Sequence, residues 1–358
     1  MTTLVQIVPR LPPPEEGVGG IALALAEGLR RHGIETRFVV PAPHGAGARS
    51  AGLDVVEISP DRASIAAALS GTSGAAPILL HYAGYGYEPR GAPVWLAEAL
   101  ARAPGRLWTQ FHEVWASGPP WRSSFWLGPR QRRIAGTIGD RSDRITTSLD
   151  LYAGLLKSRL ADPRREVAVL PVISAVGECA APLPFDRRER HLLVFGGPGL
   201  RGRAYRDHAA ELESAARSLA MDEIWDLGTG DVAPENVGPF PVRRLGALPA
   251  AEVSAHLTET AAGFLAYPPG FLGKSSAFAA LSAHAVLPLL PVSTSGRAVA
   301  CEARPGEPVE GTHFWAAGSP CPDPAAVASA AWTWYEGHSL AAQAAAVAAW
   351  ANAPVRDE

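Results

Sequence analysis

The sequence predicts two doubly wound α/β domains in tandem. Three observations carry the prediction. The chain has 358 residues, enough for two domains of ordinary size. Short apolar runs alternate with helical patterns through both halves, as they do when helices cover both faces of a parallel sheet. Between Pro171 and Arg190 that alternation lapses into a stretch rich in Pro, Ala and charge, which reads as a linker.

The elements follow in order. Leu4 to Val8 is an apolar run, Pro9 to Gly20 a Pro- and Gly-rich loop, and Ile21 to Arg31 an amphipathic helix stopped by Gly33. Strands are then expected at Arg37–Val40, Val55–Ile58, Ile78–His81, Leu107–Phe111, Arg144–Thr147 and Val167–Leu170. A second series covers Leu192–Phe195, Ile224–Leu227, Val242–Leu245, Phe264–Tyr267 and Val286–Leu290. Ala-rich Ser339–Asn352 has high helix propensity and suits a final helix packing back toward the first domain. Expected boundaries are 1–172 for the first domain, 173–190 for the linker, 191–338 for the second domain and 339–358 for the last helix and tail.

Composition narrows the function. With 47% hydrophobic and 19% charged residues, the chain is that of an ordinary globular protein, and no apolar run reaches membrane-spanning length. A net charge of −3 offers nucleic acid no general attraction. The first ten residues lack the pattern of a secretory signal. Cys179, Cys301 and Cys321 have no metal-ligand spacing and form no even disulfide framework, so a cytoplasmic protein without a metal site is expected.

Ligands of doubly wound folds sit beyond the carboxyl ends of the strands, so chemistry is sought in the loops that follow them. Five such segments stand out. EEGVGG, Glu15–Gly20, lets backbone approach a phosphate at a helix start, yet it lacks the dinucleotide G-x-G-x-x-G spacing. GKSS, Gly273–Ser276, opens a helix of small residues, where a lysine and hydroxyls suit a diphosphate. The bland alternative makes Ser275 an N-cap and Lys274 a solvated charge. FGGPGLRGRAYRDH, Phe195–His208, reads as a mobile loop that carries Arg201 and Arg203 toward a leaving diphosphate, or else as a solvated basic turn. QFHEVW, Gln110–Trp115, places His112 and Glu113 directly after a buried strand as candidate catalytic groups, a structural role being the alternative. HYAGYGYEPRG, His81–Gly91, offers Tyr82, Tyr85 and Tyr87 as aromatic faces for an acceptor sugar.

Taken together, GVGG before the helix ALALAEGLRRHG, the FHE after a mid-domain strand, LVFGG at the start of the second half and the late helix before VLPLLP resemble the GT4-like glycosyltransferases of GT-B fold. The resemblance implies two Rossmann-like domains facing across a cleft. It implies a nucleotide-diphosphate-sugar donor held mainly by the second domain, a glycan or small-molecule acceptor held mainly by the first, and retaining transfer without a metal or other cofactor. Gly19 and Gly20 match the glycine loop near the donor phosphates, His112 the histidine near the donor sugar, and Arg201 the phosphate-binding cation. The chain departs from the pattern at Gly270–Ala285, which carries no carboxylate where the family has its E-x7-E pair. A catalytically silent nucleotide- or glycan-binding protein of this fold, and a nucleotide-sugar epimerase, are the alternatives.

Overall fold

A computed structural model describes residues 2–12, 17–45, 51–70, 76–292 and 306–353. The chain divides into two compact units, residues 1–171 with 340–358, and residues 172–339.

In chain order, unit 1 contains β1 (Thr2–Ile7), α1 (Gly17–Arg30), β2 (Ile34–Pro41), β3 (Val55–Ile58), α2 (Arg62–Ser70), β4 (Ile78–Tyr82) and the single turn α3 (Gly84–Tyr87). It continues with α4 (Val94–Leu100), β5 (Leu107–Phe111), α5 (Ser123–Arg141), β6 (Arg144–Thr147), α6 (Asp150–Lys157) and β7 (Ala168–Val169). The strands form one parallel sheet of order β3-β2-β1-β4-β5-β6-β7. Strands such as ILLHY and LWTQF are buried along their whole length, as a sheet covered on both faces requires. The order reverses between β1 and β4, so their carboxyl ends part there and leave the crevice in which such folds bind ligands.

Unit 2 contains β8 (Glu189–Phe195), α7 (Pro198–Asp207), α8 (Ala209–Ser218), β9 (Glu223–Leu227), β10 (Asn236–Val237), β11 (Phe240–Gly246), α9 (Ala250–Glu259) and β12 (Thr260–Phe264). A 3-10 segment (Pro269–Lys274) leads into α10 (Ser276–Ala283), followed by β13 (Leu287–Leu290), β14 (Trp315–Ala316) and α11 (Pro324–Glu336). The sheet order is β10-β11-β9-β8-β12-β13-β14, and its switch point lies between β8 and β12. All pairings are parallel except the edge hairpin β10–β11.

The last helix, α12 (Leu340–Asn352), belongs to unit 1. It packs on α1, where a Cβ added at Gly28 would stand 3.0 Å from the Ala344 Cβ, so the two helices meet through small residues. Trp350 sits edge-on to Trp108 at 5.6 Å, Arg106 donates to the Ala351 carbonyl at 2.8 Å, and the Gln343 amide donates to the Pro171 carbonyl at 2.8 Å. The α/β class and the returning last helix are therefore as the sequence predicts.

Several details differ from expectation. Helix α1 starts at Gly17, so GVGG is its first turn and not the end of a loop. Phe195–His208 is chiefly helix, because Pro198 at N1 supplies the fixed φ of a helix start. β12 begins at Thr260, four residues ahead of the expected Phe264. Residues 173–190, expected as a linker, count within unit 2, where the Val172 amide donates to Gly273 and the Ser174 amide to the Tyr335 hydroxyl, each at 2.9 Å. Cys179 and Cys321 are free thiols, and Cys301 lies outside the described residues. No helix among the described residues is long and apolar enough to cross a membrane.

Candidate functional site

The switch point of unit 1 carries a buried polar chain. Gln6 near the end of β1, His81 near the end of β4 and His112 just past β5 come from three strands adjacent in the sheet. The His81 ring reaches Gln6 Oε1 with Nε2 at 2.8 Å and His112 Nε2 with Nδ1 at 3.1 Å. The two imidazoles stack at an interplanar angle of 15°. Gln6 and His81 are fully buried, and His112 is 6% exposed. Burial, with the His112 ring beside it, holds the His81 pKa well below that of a free imidazole, so His81 is neutral. An amide oxygen only accepts, so His81 Nε2 carries the proton and its Nδ1 accepts from His112 Nε2–H. That assignment makes His112 Nε2 the donor within the pair.

Glu113, the next residue, is exposed. With Tyr85, Trp115, Gln131 and Tyr152 it lines a pocket of about 230 Å³. Gln131 fixes the pocket wall: its Nε2 donates to Tyr85 Oη at 3.1 Å and to the Arg90 carbonyl at 2.9 Å, and its Oε1 accepts from the Ala116 amide at 2.9 Å. Glu113 and Tyr85, expected from separate loops, are thus brought together. Gln131, buried inside α5, had no sequence signal beyond an amide at an inward-facing helical position.

The other two tyrosines do not fit the acceptor expectation. Tyr82 is fully buried against Phe111, with burial pushing its hydroxyl pKa up. Tyr87 is 6% exposed and donates to the Ile7 and His81 carbonyls at 3.0 Å. Both are core residues that tie β4 to its neighbours, and neither presents a ring face to a sugar.

Gly19 answers to the chain's own backbone: a Cβ there would lie 2.5 Å from the Arg10 carbonyl oxygen. Its missing side chain lets the segment after β1 cross α1. Gly20 is half-buried on the same turn, and Glu15 and Glu16 lie outside the described residues.

In unit 2, Arg201 also corrects the sequence reading. Its side chain is fully buried, paired with Asp226, and it donates to the carbonyls of Gly196 and Gly230 at 2.9 Å and of Thr229. Asp226 takes a further hydrogen bond from Tyr205 at 2.8 Å. A guanidinium enclosed in this way holds the loops after β8 and β9 together and has no edge left for a phosphate. Arg203, by contrast, is exposed on α7.

Two helices start beside the switch point of unit 2. Gly197 is the N-cap of α7, two residues past β8. Ser275 is the N-cap of α10, reached from β12 through the 3-10 segment, and its hydroxyl accepts from the Phe278 amide at 3.2 Å. The Ser275 side chain therefore organises the helix start, as the bland alternative has it. Gly273 is buried with its carbonyl engaged by Val172, while Lys274 and Ser276 are half-buried at the entrance to α10. The arrangement places two helix N-termini, with Lys274 and Ser276 at the second, beside this end of the sheet, and residues of these types suit an anion such as a diphosphate.

The solved structures decide the fold. Anabaena HepE, in complex with UDP and glucose, superposes with a TM-score of 0.61 at 10% identity, over 97% of this chain and 99% of that one. An alpha-glucosyltransferase in complex with UDP and a 13-mer DNA gives 0.56 at 9% identity, over 95% and 96%. Spinosyn forosaminyltransferase SpnP gives 0.54 at 12% identity, over 99% and 100%. The chain has the GT-B fold. No protein-family model and no curated protein matches its sequence.

Proposed function

We propose that this protein is a glycosyltransferase, a divergent GT4-like member, that moves a sugar from a nucleotide-diphosphate sugar to an acceptor hydroxyl. The observation that carries the reading is the pair of helix starts after the neighbouring strands β8 and β12 of unit 2, the second bearing Lys274 and Ser276. The likeness to glycosyltransferases solved with UDP supports a nucleotide donor.

In this reading unit 2 binds the diphosphate, and Lys274 stabilises the negative charge that grows as the anomeric carbon–oxygen bond breaks. His112 is the proposed contact to a hydroxyl of the donor sugar, and the pocket of Tyr85 and Glu113 takes the acceptor, as the resemblance implies. Retention without a metal follows the resemblance. The acceptor oxygen bonds the anomeric carbon on the face the diphosphate leaves, and the hydroxyl proton passes to the departing diphosphate oxygen. Should the product be inverted, the His112 imidazole takes that proton instead.

A panel of UDP-, GDP-, ADP- and dTDP-sugars tests the proposal. One donor class is expected to raise the unfolding temperature, since a ligand that binds only the folded state stabilises it, and to release nucleoside diphosphate slowly in water. Binding without release or transfer would favour the silent alternative, which the absence of a carboxylate in Gly270–Ala285 motivates. Donor isomerisation without an acceptor would identify an epimerase.

A further inference from the structure

Helix α5 presents one solvent stripe that the proposed chemistry does not use. Trp126, Arg130, Arg133 and Thr137 follow one another at helical spacing and are all exposed. At the amino end of the stripe the aromatic content is high: Trp121 is 82% exposed, Trp126 72% and Phe125 44%. The Trp126 indole N–H already donates to the Pro120 carbonyl at 2.9 Å, and Phe125 packs edge-on against Trp126 at 5.2 Å. Trp126 and Phe125 are thereby held against each other, and the outward surface of Trp126 is apolar. Rings of this size, clustered and open to solvent, are not ordinary surface residues.

Cations surround them. Arg122 lies between Trp121 and Phe125 in sequence, and Arg130 and Arg133 extend the stripe. Arg62 of α2 and Arg102 just past α4 face Arg130 and Arg133 across a hollow of about 850 Å³, with Glu98 as the single acidic residue of its wall. All five arginines are exposed, and none makes an ion pair among the described residues. The patch is local, because the chain as a whole carries a net charge of −3.

We infer that this face of unit 1 docks on an anionic lipid bilayer. Tryptophan and phenylalanine enter the headgroup–acyl boundary, where an apolar ring loses water, and the guanidiniums meet the lipid phosphates beside it. Charge complementarity selects anionic lipid. Arginine alone would serve a nucleic acid equally well, but exposed aromatic rings gathered at one end of the stripe suit insertion, and the negative remainder of the molecule opposes a polyanion that wraps it.

Co-sedimentation of the full chain with vesicles tests the inference. One set is phosphatidylcholine alone; the other contains roughly a third phosphatidylglycerol, enough to give a negative surface potential. Binding is expected on the anionic vesicles only and weakens as salt rises. Trp121→Ser with Trp126→Ser, and separately Arg130→Glu with Arg133→Glu, should each lower the bound fraction at least tenfold while far-ultraviolet dichroism and the unfolding midpoint stay unchanged. Absence of binding to anionic vesicles would overturn the inference, as would binding that both double variants retain. Tighter binding to a duplex DNA oligonucleotide at the same ionic strength would assign the patch to nucleic acid and overturn it equally.

Discussion

His81 Nδ1 and His112 Nε2 lie 3.1 Å apart inside unit 1, and Gln6 fixes the far side of His81 at 2.8 Å. The pair turns a histidine at a strand end into one of set tautomer and orientation. His112→Ala is expected to lower turnover by about 10²-fold, the lower end of what a positioned proton-handling group contributes. His81→Leu should lower it less, acting through His112, with little change in the KM for donor. Steady-state kinetics on the two variants checks this, and full activity in His112→Ala would remove the residue from the site.

Arg201 and Asp226 are expected to govern stability, not donor affinity. Arg201→Ala leaves Asp226 buried without its cation, which costs about 3 to 5 kcal/mol. Denaturant titration should show the loss. If Arg201→Ala folds with the original midpoint and only its nucleotide affinity falls, the structural assignment fails.

Acid should destabilise the fold. Burial lowers the pKa of His191 and of His338 to about 4, and holds those of His81 and His284 below that of a free imidazole. For His191 and His338, between about pH 6.5 and pH 4 the unfolded chain binds protons that the folded chain does not, so stability is present above pH 6.5 and falls as pH drops; His81 and His284 act in the same direction. Each such histidine contributes a slope of up to about 1.4 kcal/mol per pH unit in that window. Urea midpoints at pH 7.5, 6 and 5 should decline in that order, and a flat profile would contradict it.

Much of the fold was legible because parallel strands buried on both faces leave continuous apolar runs, such as Ile78–His81 and Leu192–Phe195. The strand Thr260–Phe264 was placed late because TAAGF is built mostly of small residues and shows no such run. Glycines misled twice. Gly196, Gly197, Gly199 and Gly202 suggested a loop where Pro198 starts a helix, and Gly17–Gly20 suggested a phosphate loop where Gly19 lets backbone cross.

The site was legible only in part. His112, Glu113 and Lys274 announce themselves as chemical groups after strands or at a helix start. Their partners do not, because His81 is 31 residues from His112 and Gln131 is 46 from Tyr85, distances that only the sheet order and α5 close. Arg201 looked available for the same reason: Asp226, which neutralises it, stands 25 residues away on the adjacent strand.

Calorimetric titration of UDP, GDP, ADP and dTDP into the wild-type chain and into Lys274→Ala tests the central claim most directly. One nucleotide should bind the wild type at one site. The variant should bind it about 10- to 100-fold more weakly at an unchanged unfolding midpoint, since a charge-assisted contact to phosphate is worth about 1.5 to 3 kcal/mol. No binding across the panel, or equal affinity in Lys274→Ala, would contradict a donor diphosphate held at the start of α10.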